Sequence, residues 1–338
     1  MPRISVIIVS WNALEHLKTY LPSVIATQYE DFEIILADNA STDESRTWVE
    51  QHYPNVKIVT FDKNYGYCGG NNRAVPHATG EILLFLNNDV RVKPNWLDEL
   101  ADCFKNKQVA AVQPKMLSDK QPEYFEYAGA AGGYLDRFCY PFCRGRIFDT
   151  VEEDLGQYDS QADIFWASGA ALAIHKDLFQ QMGGFDEDFE FHMEEIDLCW
   201  RIWNAGYKVH FCPRSVVYHL GGGSMPMGSP RKVYYNYRNN LRMIWKNCST
   251  DTLAWRFTGR YLLDIVAALK TLSNGNWEEF SAIVRAHYHF WKTFPNTHEK
   301  RTSLQDQRQI ESDPEGLLPV NIVAEYFGKK KKAFRDIL

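Results

Sequence analysis

Four places along the chain gather side chains that could do chemistry. The first lies at the ends of short apolar runs: Ser10, Trp11 and Asn12 after one, Asp38, Asn39 and Asp43 after the next, Asn64 and Gly66 after a third, Asn88 and Asp89 after a fourth. In a doubly wound α/β sheet ligands bind beyond the carboxyl ends of the strands, so four polar strand exits mark a binding cleft. The bland alternative is that Asn and Asp simply favour turns. Asp89, pinned directly behind Ile82-Leu83-Leu84-Phe85-Leu86, suits a hard divalent cation held by one carboxylate and the phosphates of a substrate.

The second place is the acidic stretch 191–201. Three- and four-residue spacing puts Glu194, Asp197 and Arg201 on one helical face and turns Glu195 away from it. Asp197 and Arg201 suit an internal ion pair. Glu195, beside another carboxylate in a first helical turn, is a candidate general base, because like charge and burial both raise a carboxyl pKa. An acidic first turn also complements the helix dipole, so catalysis and capping both stand at this point. The third place is His219, ahead of the glycine run Gly221, Gly222, Gly223 and Ser224, which either lets backbone amides approach a phosphate or serves as a connector. The fourth is a helix face carrying Arg231, Arg238 and Arg242, opposite an apolar stripe of Val233, Tyr237, Leu241 and Ile244. Those arginines are either solvated or placed to neutralise a diphosphate.

The elements that must position these groups follow from periodicity. Near-continuous apolar runs at 4–10, 32–38, 56–61, 82–87 and 109–114 read as strands of a sheet covered on both faces. Helical segments at 13–26, 42–51, 70–78 and 96–104 alternate with them, which argues for parallel α/β organisation. Thr42 is the expected cap of the second helix. Further on come a glycine-rich aromatic stretch at 128–145, an apolar run at 165–174, a helix at 193–204 and a strand at 208–212. Long helices at 232–246 and 255–271 follow, then a polar stretch at 296–314 expected to be mobile. The change of pattern divides the chain into a catalytic region, 1–228, and a helical region, 229–338.

Bulk composition excludes several classes. With 45% hydrophobic residues in 338 the chain can bury a core, and a net charge of -6 argues against nucleic acid as partner, leaving any anion site local. Seven scattered cysteines without a CxxC pair point to neither disulfides nor structural zinc. The N-terminus enters a strand-like run without the pattern of a signal peptide, and no apolar run approaches the roughly 18 residues of a membrane span. The expected location is the cytoplasm.

Taken together, residues 5–12 (Ser-Val-Ile-Ile-Val-Ser-Trp-Asn), 38–43 (Asp-Asn-Ala-Ser-Thr-Asp), Asn64 to Gly66 with Gly70 to Asn72, 86–90 (Leu-Asn-Asn-Asp-Val) and 194–201 (Glu-Glu-Ile-Asp-Leu-Cys-Trp-Arg) resemble family 2 glycosyltransferases in order and spacing. The likeness covers about residues 3–245 and is nearest the bacterial rhamnosyltransferase-like branch. It implies a GT-A fold, a Rossmann-like mixed sheet flanked by helices, here with a helical C-terminal extension. It also implies a nucleoside-diphosphate sugar donor, UDP- or dTDP-linked, Mg²⁺ or Mn²⁺ as cofactor, and transfer with inversion to a glycan or lipid-linked acceptor in cell-surface polysaccharide or glycoconjugate synthesis.

Residue by residue, the resemblance makes Trp11 and Asp38 base-contacting positions. Asn64 and Asn72 line the nucleotide pocket with Ser10, Asn12, Asn39, Gly66 and Asn88, and Arg238 and Arg242 meet the diphosphate. The family's acidic metal motif reads Asn87-Asn88-Asp89 here, so only Asp89 is a carboxylate and His219 is the second metal position. Glu195 falls at the catalytic base position, one methylene longer than usual, with Glu194 and Asp197 as alternatives. The acceptor is expected against residues 166–169 and the aromatics around 134–142.

Two other classes compete. A non-catalytic nucleotide-sugar or glycan-binding module would lack the base and metal positions, which are present. A nucleotidyltransferase would want a glycine-rich basic loop after the first strand, where Ser10-Trp11-Asn12 stands instead. The tail adds hints of peripheral membrane contact at the inner face: aromatics and bases at 255–272, and the run Lys329 to Lys332. The same aromatic-rich tail could form a homodimer surface.

Overall fold

Strongly apolar runs build the centre of the molecule, a computed structural model that describes residues 1–221 and 228–337. Strands β1 (Ile4–Ser10), β2 (Phe32–Asp38), β3 (Lys57–Thr60) and β4 (Ile82–Leu86) are parallel and lie in the order β3-β2-β1-β4. Helices α1 (Leu14–Ile25), α2 (Ser45–His52) and α3 (Gly66–Ala74) cross between them. Past β4 come β5 (Val90–Val92), α4 (Trp96–Cys103) and β6 (Val109–Ser118). A small antiparallel sheet follows, made of β7 (Gly133–Leu135), β8 (Pro141–Cys143), β9 (Arg146–Ile147) and β10 (Thr150–Val151), and then β11 (Ala162–Asp163).

The main sheet is mixed rather than parallel throughout. Strand β12 (Ala171–His175) enters antiparallel between β4 and β6. After α5 (Lys176–Gln181) and α6 (Glu194–Asn204), strand β13 (Lys208–His219) runs parallel to β6 and, at its end, antiparallel to β5. Four α-helices follow, α7 (Pro230–Asn247), α8 (Thr250–Ser273), α9 (Trp277–Lys292) and α10 (Phe294–Asp306), and after them come short helical turns at Ala324–Gly328 and Phe334–Asp336.

Several expected elements move for identifiable reasons. The second helix starts at Ser45 and not at Thr42, because the Thr42 amide donates to Asn12 Oδ1 at 2.7 Å instead of entering the helix. The run 165–170 is not strand: Trp166 bridges to Gly133 of the small sheet, and the ladder resumes at Ala171. β13 continues seven residues past Cys212 through a register shift between Cys212 and Val216, where Pro213 interrupts the pairing. The expected mobile stretch contains α10, held because Arg301 donates to the carbonyls of Trp245 (2.8 Å) and Cys248 (2.6 Å).

The region beyond Gly228 shares its core with the rest. Leu241, Ile244, Phe257, Phe290 and Phe334 belong to one apolar cluster with Ile7, Phe85 and Trp200. Of the three arginines expected on one face of α7, Arg238 and Arg242 are buried and not solvated, whereas Arg231 is exposed. Tyr134 and Phe142, paired across β7 and β8, and Trp166, all expected to carry an acceptor sugar, are core residues. All seven cysteines are free and buried. No helix among the described residues is long and apolar enough to cross a membrane.

Candidate functional site

The order of strands reverses between β1 and β4, and the crevice outside their carboxyl ends is where such sheets take ligands. Parallel register brings Ser10 beside Asp38, and the Asn39 amide donates to the Ser10 carbonyl at 2.8 Å. Asn39, itself buried, donates to Asn64 Oδ1 and the Gly66 carbonyl, each at 3.0 Å, and accepts from the Tyr65 amide at 2.8 Å. Asn12 sits in the left-handed region (φ 48°) and caps the amides of Thr42 and Asp43. Asp38 is buried with one oxygen accepting from the Ser41 amide, and Asn88 reaches back to Ser10 Oγ at 3.5 Å. The result is a preorganised rim over which Trp11 stands 53% exposed, an uncovered aromatic face beside buried polar groups. Asn72 points elsewhere: it exchanges two hydrogen bonds with the Phe185 backbone and pins the turn ahead of α6.

The short β5 strand brings the distant acid and histidine together. Its pairing places His219 opposite Val90, and the Leu220 amide donates to the Asp89 carbonyl at 3.1 Å. Asp89 Oδ1 and His219 Nε2 consequently meet at 3.1 Å, both buried. On the other side of the ring, Glu126 Oε1 lies 3.3 Å from His219 Nδ1. Burial alone would push the imidazole pKa down, yet Glu126 and Asp89 raise it to about 10. The Asp89 carboxyl, though desolvated, is held below its usual range by the same histidine.

This donor set fits a hard divalent cation. Two ligands at right angles and about 2.1 Å from a common ion lie about 3 Å apart, the separation of Asp89 Oδ1 and His219 Nε2. With a neutral imidazole the two carboxylates carry two negative charges that such an ion would balance. Among the described residues no three His, Cys, Asp or Glu side chains converge on one point, so the remaining ligands would have to be phosphate oxygens or water. Of the glycine run, Gly221 is left-handed (φ 66°), and a Cβ there would stand 2.8 Å from Glu126 Oε1. Residues 222–224 lie outside the described residues.

The acidic helix is entered through strained backbone: Glu190, His192 and Met193, none of them glycine, have φ of 63°, 66° and 74°. Asn239 holds this turn by donating to the carbonyls of Phe189, Phe191 and His192 at 2.7 to 2.9 Å. The turn delivers Glu194 and Glu195 side by side, each with one buried carboxylate oxygen that has no hydrogen-bond partner. Burial pushes the Glu195 carboxyl up to about 7, although backbone amides pull the other way. Burial, then the neighbouring Glu195, drive Glu194 well above the carboxylate range. Glu195 is the more accessible of the two.

Asp197 has the opposite surroundings. It is fully buried, takes Arg201 Nε at 3.0 Å, Asn247 Nδ2 at 2.7 Å and the Lys246 ammonium at 2.9 Å, and so ties α6 to α7. Arg238 and Arg242 are likewise committed to the turn: Arg238 pairs with Glu190 at 3.0 Å and donates to the Phe189 carbonyl, and Arg242 donates to the Asp188 carbonyl. Both line a cavity of about 610 Å³ between α7 and α9 that includes none of Asp38, Asp89 or His219. Glu126 and Asn239 were not singled out from sequence. Glu126 lies in an irregular stretch with no spacing signal, whereas Asn239-Asn240 between Arg238 and the apolar Leu241 was a signal that could have been read.

Comparison with known proteins places this geometry. Residues 5–152 match the family Glycosyl transferase family 2, and residues 82–277, more than half of the chain, match Glycosyl transferase family group 2. The O-antigen biosynthesis protein RfbC of Myxococcus xanthus is 31% identical over 212 residues, covering 62% of this chain and 16% of that protein. The N-acetylglucosaminyl-diphospho-decaprenol L-rhamnosyltransferase of Mycobacterium tuberculosis is 26% identical over 230 residues, covering 63% of this chain and 75% of that protein. The chain thus spans under a fifth of the first relative and three quarters of the second. Among solved structures, GalNAc-T7 with UDP, GalNAc and Mn²⁺ superposes with a TM-score of 0.57 at 20% identity, over 73% of this chain and 48% of that one, which establishes the GT-A fold.

Proposed function

The chain belongs to glycosyl transferase family 2, and from that membership we propose that it moves a sugar, with inversion, from a nucleoside-diphosphate donor to an acceptor hydroxyl, the donor held at the β1/β4 crevice. The observation that carries the reading is the buried meeting of Asp89 and His219 at the crevice, 3.1 Å apart. These two residues would hold Mg²⁺ or Mn²⁺ against the donor's diphosphate; when bound, the ion neutralises charge that grows on the leaving phosphate. The rim of Ser10, Trp11, Asn12, Asp38, Asn39, Asn64, Gly66 and Asn88 receives the nucleoside, with Trp11 offering its face to the base. Arg238 and Arg242 act one step back, by bracing the Asp188 and Phe189 carbonyls ahead of the turn that aims Glu194 and Glu195, and Asn72 fixes the chain earlier, at Phe185.

Glu195 is the group placed to take the acceptor proton. As the acceptor oxygen bonds to the anomeric carbon, the bond from that carbon to the phosphate oxygen breaks on the opposite face, the nucleoside diphosphate departs, and the proton passes to the carboxylate. A pKa near 7 suits that exchange at neutral pH. Asp197, with every oxygen engaged, keeps the helix in place and takes no proton. Relatives that act on polyprenyl-linked saccharides support a lipid-linked acceptor in cell-surface polysaccharide assembly.

Calorimetric titration with UDP, dTDP and GDP, each with and without Mn²⁺, tests the reading. Binding of one nucleotide that requires the metal and is lost in Asp89→Ala is the expected result. Binding of none, or metal-independent binding unchanged by the substitution, would overturn it.

A further inference from the structure

Helix α8 buries charged groups and exposes an apolar stripe, and helix α9 carries an apolar stripe on its exposed side as well as on its buried one. On α8 the buried face carries Arg256, Arg260 and Asp264, while Leu262, Ile265, Val266 and Leu269 are exposed, Val266 by 61%. These four fall at three- and four-residue spacing and so form one stripe. On α9, Trp277, Val284, Tyr288 and Trp291 form a second exposed stripe, with Trp277 67% and Tyr288 62% open. The opposite face of α9, with Ile283, Ala286 and Phe290, is buried. The helices touch at Tyr261 and His287, ring centroids 4.6 Å apart, and the residues of both stripes are exposed.

Charge says what covers this face. Residues 229–338 hold 18 lysines and arginines against 11 acids, a balance of +7, whereas residues 1–228 hold 19 against 32, a balance of -13. The bases border the stripes: Lys270 continues the α8 stripe, and Arg285 and Lys292 flank that of α9. Lys270 also lies 4.8 Å over the ring of Phe327, itself exposed and followed by the run Lys329 to Lys332. The exposed acids of the pair, Asp251 and Glu278, stand at the helix starts.

We propose that the α8–α9 face docks on the surface of an anionic lipid bilayer, with the leucines, valines and aromatics entering the headgroup boundary and the bases over the phosphates. Neither helix is apolar enough to cross, so the pair lies on the membrane and does not span it. A second copy of the chain fits this face less well, because a two-fold contact would bring the same basic border, Lys270, Arg285 and Lys292, into one interface from both copies. The inference does not depend on the transfer chemistry proposed above.

Cosedimentation with vesicles of phosphatidylglycerol and of phosphatidylcholine decides it, with the oligomeric state measured alongside by light scattering. The chain should bind phosphatidylglycerol at low salt and release as salt rises, and Leu262→Glu with Leu269→Glu should cut the bound fraction by about tenfold or more. Val284→Glu on the other helix should act in the same direction and carries the test should the double variant not fold. Failure of the chain to sediment with phosphatidylglycerol, undiminished binding by the folded variants, or a dimer that these substitutions disperse would each overturn the proposal.

Discussion

Asp89 and Glu195 are both desolvated carboxyls, and their surroundings are opposites. Asp89 is compensated: His219 lies 3.1 Å away, and that partner holds its pKa below the usual range. Glu195 has no cationic partner: only backbone amides oppose its burial, one oxygen is unpartnered, and burial lifts its pKa to about 7. A carboxylate kept charged is suited to hold a cation, and one kept near neutrality is suited to exchange a proton. The same residue class thus shows opposite proton affinities, separated by environment alone.

The largest effect should come from removing the proton acceptor. Glu195→Gln is expected to lower turnover by about 10²–10⁴ while leaving metal-dependent nucleotide binding intact. Because the base must be deprotonated to act, activity of the unaltered protein should rise with pH up to about 7 and level above it. That acidic limb should vanish in the variant; a limb that persists would move the role to Glu194.

A smaller effect belongs to the compensated side. Glu126 backs His219 from 3.3 Å, as carboxylates behind metal-binding histidines do, so Glu126→Gln should weaken Mn²⁺ affinity by about 10–100-fold, read by calorimetry in the presence of the nucleotide. Unchanged affinity would reduce Glu126 to a packing residue.

The smallest effect has the opposite sign. The raised pKa of Glu194 means that the folded state holds its proton more tightly than the unfolded chain. Its contribution is then fully present below the unfolded carboxyl pKa and is lost as pH rises through the folded value. Glu194→Gln, with no proton to lose, should stabilise the fold by about 1–3 kcal/mol at pH 8 and scarcely at pH 4. Urea unfolding at both pH values checks this, and equal shifts at the two would contradict a buried, uncompensated charge.

Much of the fold was legible because the signals were local. The runs 4–10 and 32–38 are strand to the residue, and Trp96 and Glu194 begin their helices within a residue of expectation. The pairing of Asp197 with Arg201 also followed from spacing alone. Other features depend on partners far away in sequence and had no local signature. α10 looked like a polar linker because its hydrogen bonds go to α7 carbonyls, and Tyr134 and Phe142 looked like a sugar platform because the burial of two small-sheet strands in the core cannot be read from composition.

What the sequence by itself determined was the inventory and order of groups: polar exits after apolar strands, one carboxylate at 89, two adjacent acids opening a helix, and a histidine ending a strand. Each is a property of a short window, where periodicity and residue type suffice. Only the tertiary structure decided which of these groups meet. The β5–β13 pairing joins Asp89 to His219 across 130 positions, the α7 amides and guanidiniums hold the strained turn before Glu194, and the fold brings Glu126 behind the imidazole. Electrostatic roles follow from those meetings, because a carboxyl's pKa is set by the charges and solvent around it and not by its own chemistry.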